Sequence, residues 1–201
     1  GWSGDGEIST PRLMISELMA DNRQSLSPRF RFSDWIEVFN YGSQPVALEG
    51  WSLTDDPAEP GKYLLNGQPA LNPGERRVIW LEDDLSSSGL QGSGFALKAK
   101  GDQIWLFYLE DSLQPLPVDG VTFGRQTPSG SLIQDAATRS WHLGIPTPGR
   151  PNLSQPMGAV KDLRINEWVA NPDSGADWLE LSNTGDYPVS LAGIRVQDAL
   201  L

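Results

Sequence analysis

Apolar positions along the chain recur at a spacing of two over short stretches. No stretch holds them at i, i+3, i+4 and i+7 beyond one or two turns. This pattern predicts strands over residues 12–20, 34–40, 46–54, 75–82, 93–98, 102–109, 118–123 and 131–133, with a short last one at 139–142. Residues 102–109 (DQIWLFYL) are apolar on both faces, which predicts a central strand covered on each side. The 21 glycines and 16 prolines are dispersed as punctuation between these runs. Pro73-Gly74, Lys100-Gly101-Asp102 and Asp119-Gly120 fall where the chain must reverse. About eight short strands so spaced predict an all-β, antiparallel sandwich. Residues 1–11 carry no pattern and read as a leader or linker, while the Pro-rich residues 146–156 read as a boundary.

An internal repeat sets the organisation. Ile15-Ser16-Glu17-Leu18-Met19-Ala20 is echoed by Ile165-Asn166-Glu167-Trp168-Val169-Ala170. Residues 34–55 (DWIEVFNYGSQPVALEGWSLTD) align without gaps to residues 177–198 (DWLELSNTGDYPVSLAGIRVQD), with ten of 22 positions identical. Chance does not produce that agreement. The expected division is a sandwich at residues 12–153, a linker at 154–161, and the first strands of a second, truncated copy at 162–201. About three strands cannot cover Trp178, Leu179, Leu181, Val189 and Leu191, because a sandwich of this kind needs around seven. A second copy of the chain, forming a homodimer through this incomplete domain, is the expected cover.

The repeated block has a simple physical reading. Ile36 and Val38 share one face of a strand and Trp35, Glu37 and Phe39 the other. Asn40 and Gly42 both tolerate the left-handed backbone of a tight turn. Val46 and Leu48 form a second alternating run expected to return beside the first. Gly50 marks a bulge or close approach, and Trp51 supplies large burial. Asp55 and its repeat Asp198 are expected to accept backbone N–H groups of the following turn.

These residues resemble the lamin tail domain family, whose fold is an immunoglobulin-like β-sandwich. The resemblance runs through Ile15–Ala20, Asp34-Trp35-Ile36-Glu37, Asn40, Val46, Leu48, Gly50-Trp51 and Asp55. Downstream it continues through Pro73-Gly74-Glu75, Phe95-x-Leu97, Gly101-Asp102-x-Ile104-x-Leu106, Asp119-x-Val121-x-Phe123 and Thr147-Pro148-Gly149-Arg150-Pro151-Asn152. It covers residues 12–153, and its first part recurs over 162–201. The signature is Glu17, Asp34, Trp35, Glu37, Asn40, Gly50, Trp51 and Asp55, repeated as Glu167, Asp177, Trp178, Glu180, Asn183, Gly193 and Asp198. Nuclear lamins add a coiled-coil rod and a prenylation motif, whereas this sequence has neither heptads nor cysteine. The tandem arrangement is similar instead to bacterial members found in large exported or surface proteins. That implies an extracellular, cell-surface or periplasmic setting, and implies no single activity.

Composition then removes chemistry. With no cysteine and one histidine, His142, thiol nucleophiles, Cys-ligated metals and multi-histidine metal sites are excluded. A formal net charge of −11 opposes binding to a phosphate backbone, and no apolar run approaches the roughly 18 residues of a membrane span. No nucleic-acid partner and no membrane insertion are therefore expected.

The remaining candidates are few. Glu17 and Glu37, recurring as Glu167 and Glu180, are the residue types of a glycosidase pair. The alternative is that they sit on adjacent strands and pair with backbone or arginine, and that reading is preferred. His142 follows a serine, yet no Gly-x-Ser-x-Gly elbow exists. Asp55-Asp56 and Glu82-Asp83-Asp84 are oxygen-rich, without the regular ligand spacing of a calcium loop. Eight tryptophans raise the possibility of sugar stacking, although Trp35, Trp51, Trp80, Trp105 and Trp178 fall within strand patterns. The preferred function is a non-catalytic accessory, interaction or spacer module with no cofactor and no metal. Its partner would be a protein or a cell-surface glycan. The alternatives are a carbohydrate-binding module and a hydrolase with paired carboxylates.

Overall fold

The computed structural model describes residues 12–25, 27–28, 30–82, 93–109 and 114–197. The chain forms two compact units, Gly1–Ser154 and Gln155–Leu201. The first contains β1 (Leu13–Met19), β2 (Asp34–Asn40), β3 (Trp51–Thr54), β4 (Tyr63–Leu64), β5 (Arg76–Leu81), β6 (Asp102–Tyr108), β7 (Leu116–Phe123), β8 (Ser131–Gln134), β9 (Trp141–Ile145) and β10 (Leu153–Ser154). They make two sheets, a six-stranded one in the order β10-β9-β8-β1-β2-β5 and a four-stranded one in the order β4-β3-β6-β7. Every pairing is antiparallel. The fold is the antiparallel sandwich that the short alternating runs predict, in the immunoglobulin-like form that the resemblance implies.

Period-two alternation places the core. Leu13, Ile15 and Leu18 of β1, Ile36 and Val38 of β2, and Leu53, Ile104 and Leu106 from the other sheet share one buried cluster with Trp51. On this face Ile15 lies opposite Val38 and Leu18 opposite Ile36. Between them β1 carries a bulge at Ser16, which re-phases the alternation so that Glu17 faces away from the core and lies opposite Glu37. Asp119 of β7 reaches across to β1, its Oδ2 accepting the Ile15 N–H at 2.8 Å. Arg139 holds the other oxygen of Asp119 at 2.8 Å.

Several local expectations change in the folded chain. The stretch 46–54 is no single strand. Val46 makes one isolated bridge to Leu71, and β3 starts only at Trp51, in the other sheet. The run 46–48 therefore does not return beside β2, whose neighbours are β1 and β5. It carries the chain between sheets while Val46 and Leu48 enter the core. Residues 93–98 join no ladder, although Phe95 and Leu97 are buried. The predicted strand at 139–142 begins later, at Trp141, because Arg139 takes a left-handed φ of 60° in the turn before it.

Neither Asn40 nor Gly42 is left-handed. Asn40 ends β2 fully buried, its amide donating to Gln44 O at 2.8 Å and Leu71 O at 2.9 Å and accepting Gly42 N–H at 2.9 Å. The left-handed turn residue is Gly50, with φ of 78°, and a Cβ there would meet Leu109 O at 2.9 Å.

The second unit holds a 3-10 turn at Val160–Asp162, then β11 (Leu163–Val169) and β12 (Trp178–Asn183), paired antiparallel. Among the described residues these form a two-stranded sheet. No helix among them is long and apolar enough to cross a membrane.

Candidate functional site

Most hairpins of a sandwich bury one face and leave the other in water. The β1–β2 hairpin does not. All seven residues of β1 are buried, and Met14, Glu17, Met19, Trp35 and Glu37 on the face away from the core are each 0% exposed. Two fully buried carboxylates need charged or hydrogen-bonding partners, because an unpaired buried charge is costly.

The partners come from the closing segment Pro146-Thr147-Pro148-Gly149-Arg150-Pro151. Three prolines leave it only three backbone N–H groups. Arg150 N–H donates to Thr147 O at 2.9 Å, and Gly149 has φ of 75°, which is a type II turn with proline and glycine at its central positions. The N–H groups of Thr147 and Gly149 remain, and each finds a glutamate. Thr147 N–H donates to Glu17 Oε1 at 3.1 Å and its hydroxyl to Oε2 at 3.0 Å. Gly149 N–H donates to Glu37 Oε2 at 2.8 Å. From β8, Ser131 Oγ donates to Glu17 Oε1 at 2.6 Å. Ser16 Oγ donates to Glu37 Oε1 at 2.6 Å, and Arg76 Nε stands 3.3 Å from that oxygen. The Arg76 guanidinium also lies 3.9 Å from the Phe39 ring centroid. Asn152 completes the lacing by donating to Ser16 O at 2.7 Å.

The electrostatics oppose one another. Burial pushes the Glu37 carboxyl up to about 7. The Ser16 and Gly149 hydrogen bonds pull it down, the nearby Glu17 raises it, and Arg76 lowers it. Burial likewise raises Glu17, against the donors Ser131 and Thr147. Chemically the pair is a clamp that holds one segment of its own chain. The sequence reading expects the two glutamates on adjacent strands with backbone or arginine partners, as found, but does not identify Arg76, Thr147 and Gly149 as those partners and misses the Ser16 and Ser131 hydroxyls. The available signal was the alternation of prolines with N–H-bearing residues, which leaves orphan donors in need of acceptors.

The other signature residues serve the fold. Asp34 Oδ2 accepts Leu97 N–H at 3.1 Å. Trp35 and Trp51 are 0% and 1% exposed. Asp55 does not cap the following turn as expected. It pairs with Lys62 at 2.6 Å, and Asp56 accepts Ala58 N–H at 2.9 Å instead. Among the described residues no group of three or more acidic or histidine side chains gathers as a metal site. Asp83, Asp84, Trp2 and Asp198 lie outside the described residues.

The second hairpin repeats the first residue for residue. Ile165 lies opposite Leu181, Glu167 opposite Glu180 and Trp168 opposite Leu179, with the bulge again falling between Ile165 and Glu167. Asn183 donates to Tyr187 O and accepts Gly185 N–H, as Asn40 does with Gln44 and Gly42. Asp177 accepts Asn171 N–H at 2.8 Å, and Gly193 has φ of 77°. Glu167 and Glu180, however, are exposed, and Trp178 is 45% exposed where Trp35 is buried.

Two hollows bear on the rival chemistries. A cleft of about 250 Å³ beside the clamp is lined by Ser16, Arg76, Asp135, His142, Asn152 and Ser154. There His142 Nε2 stands 3.2 Å from Ser154 Oγ, while Asp135 Oδ1 accepts from the N–H groups of Ala137 and Thr138 and the Thr138 hydroxyl, within its own turn. A groove of about 800 Å³ includes Tyr41, Trp51 and Tyr108. Its rings are already engaged, Tyr41 by Arg12 and Arg139, and Trp51 by Tyr108 at 5.2 Å. Trp168 and Trp178 are exposed but fall on opposite faces of their hairpin, so they make no single stacking row.

No curated protein and no solved structure matches the chain. The family model of the Lamin Tail Domain matches residues 7–125. That span includes Glu17 and Glu37 and ends before Ser131, Thr147 and Gly149, which hold them. With over half its length matched and an immunoglobulin-like sandwich observed, the chain belongs to the lamin tail domain family.

Proposed function

We propose that the chain is a non-catalytic accessory, interaction or spacer module of an exported or cell-surface bacterial protein. A lamin-tail-type domain points to a non-catalytic module in general. The observation that carries the reading is the state of the acidic pair in the ten-stranded first unit. Glu17 and Glu37 are fully buried, and all four of their oxygens meet donors of their own chain. A carboxylate so engaged has no room to protonate a leaving group or to activate water. The formal charge of −11 supports a protein or neutral glycan as partner rather than nucleic acid.

The test is turnover by the purified chain on panels of esters, glycosides, phosphodiesters and peptides. No activity above buffer is expected. Activity that disappears in Glu17→Gln, Glu37→Gln or His142→Ala would overturn the proposal.

A further inference from the structure

The clamp does more than hold the closing segment, because its members also build the cleft beside it. One wall is the end of that segment, where Asn152 is tied to Ser16 O at 2.7 Å and Ser154 follows on β10. A second wall comes from the β8–β9 turn, with Asp135 at its start and His142 just beyond it. Between them lies the half-buried Arg76 of β5, held 3.3 Å from Glu37 and stacked on the Phe39 ring at 3.9 Å. The polar groups of this cleft are partly unspent. A guanidinium carries five N–H donors. Yet the one hydrogen bond Arg76 donates from its side chain to the described residues is long, from Nη1 to Gly74 O at 3.5 Å. Asp135 Oδ1 takes three donors of its own turn, whereas Oδ2 takes none among the described residues. Asn152 Oδ1 is buried and likewise accepts from none of them. Native chains leave few such groups without a partner.

Charge and size then narrow the ligand. Glu37 and Asp135 set two carboxylates against one guanidinium, and the chain as a whole carries −11. That balance opposes an acidic ligand, while the guanidinium in the wall opposes a cationic one. A neutral hydroxyl answers both kinds of unspent group, since it donates and accepts. The volume of about 250 Å³ lies below the roughly 300–1,000 Å³ of sites for drug-sized ligands, so the cleft suits a single ring. We infer that this cleft binds one neutral sugar residue, the end of a glycan chain, through its hydroxyls. The Arg76 fork donates to adjacent hydroxyl oxygens, Asp135 accepts from a hydroxyl, and Ser154 and His142, 3.2 Å apart, complete the contacts. A carboxylate ligand brings no hydrogen to the unspent acceptors and meets the charge of Asp135, which gives the specificity. The inference deepens the proposed function by choosing a neutral glycan as the partner, and it rests on the reading of the chain as an interaction module.

His142 is the one histidine of the sequence, so its imidazole C–H signals in proton NMR report on the cleft without further assignment. The experiment titrates the whole chain with the methyl glycosides of glucose, galactose, mannose, rhamnose and N-acetylglucosamine, into the millimolar range. At least one should shift the His142 signals saturably. Binding should weaken about fivefold in Ser154→Ala, the loss of one ordinary hydrogen bond. It should weaken further in Arg76→Lys, which keeps a charge beside Glu37 and loses the fork. It should vanish in Ala136→Phe, where an exposed rim position gains a ring that fills the cleft. No shift with any of the five glycosides would overturn the inference, as would a shift that Ala136→Phe and Arg76→Lys leave intact. Acetate that moves the same signals and displaces the glycoside would also overturn it, in favour of an anion site. Turnover is measured separately, so saturable binding together with hydrolysis would sink the non-catalytic reading and leave the site, whereas inert glycosides would sink the site alone.

Discussion

Replacing Glu37 by glutamine tests whether burial or its hydrogen-bond donors govern the clamp. Burial holds the carboxyl up near 7 in the folded chain, against 4.5 for the ordinary group. A carboxyl raised on folding binds its proton more tightly in the native state, so its contribution to stability is full below about pH 4.5 and is lost as pH rises through about 7. A shift of that size corresponds to about 3 kcal/mol at 1.36 kcal/mol per unit. Glutamine carries no charge at any pH. Its oxygen can accept Gly149 N–H while its amide donates to Ser16 Oγ, and the ion pair with Arg76 is lost. Urea unfolding followed by tryptophan fluorescence, run between about pH 5 and pH 8, gives the comparison. The stability of wild type relative to Glu37→Gln should fall by up to about 3 kcal/mol across that range. Glu17 is also raised and changes in the same direction, so wild type itself should lose stability over this window. Parallel pH profiles, or a wild type that gains on the variant as pH rises, would refute the reasoning. The second result would mean that Arg76 and the donors outweigh burial.

Trp51→Ala should cost on the order of 3 to 5 kcal/mol in urea unfolding, since the ring is buried in the core cluster. Gly50→Ala should cost more than the roughly 1 kcal/mol of a left-handed alanine, because its Cβ would meet Leu109 O at 2.9 Å. Gly193→Ala has the same φ but open space around it, so it should cost only the backbone part. Thermal melts with calcium and with chelator should coincide, and a calcium-dependent rise in midpoint would assign the acidic turns a structural ion. Asn40→Ala should destabilise by about 2 to 4 kcal/mol, as it strips partners from Gln44 O, Leu71 O and Gly42 N–H.

What the sequence by itself determines follows from short-range periodicity. Alternation assigns Ile36 and Val38 to one face and Trp35, Glu37 and Phe39 to the other, and the folded chain keeps that assignment. The repeat likewise specifies two hairpins of one register, because matching alternation permits one pairing that gathers the apolar side chains on a common face. Periodicity does not say which faces are covered. For Glu17 and Glu37 it leads to a preference for backbone or arginine partners over catalysis, but the partners themselves are set by the closing segment, which arrives from more than 110 residues away. The same limit explains residues 46–48. Their alternation is strand-like, yet the sandwich needs a crossing between sheets there, and one bridge to Leu71 is all the ladder they obtain. Glu167 and Glu180 show the point most directly. They share the local sequence and pairing of Glu17 and Glu37, and they differ in burial because burial belongs to whatever packs on top of a strand, which only tertiary structure decides.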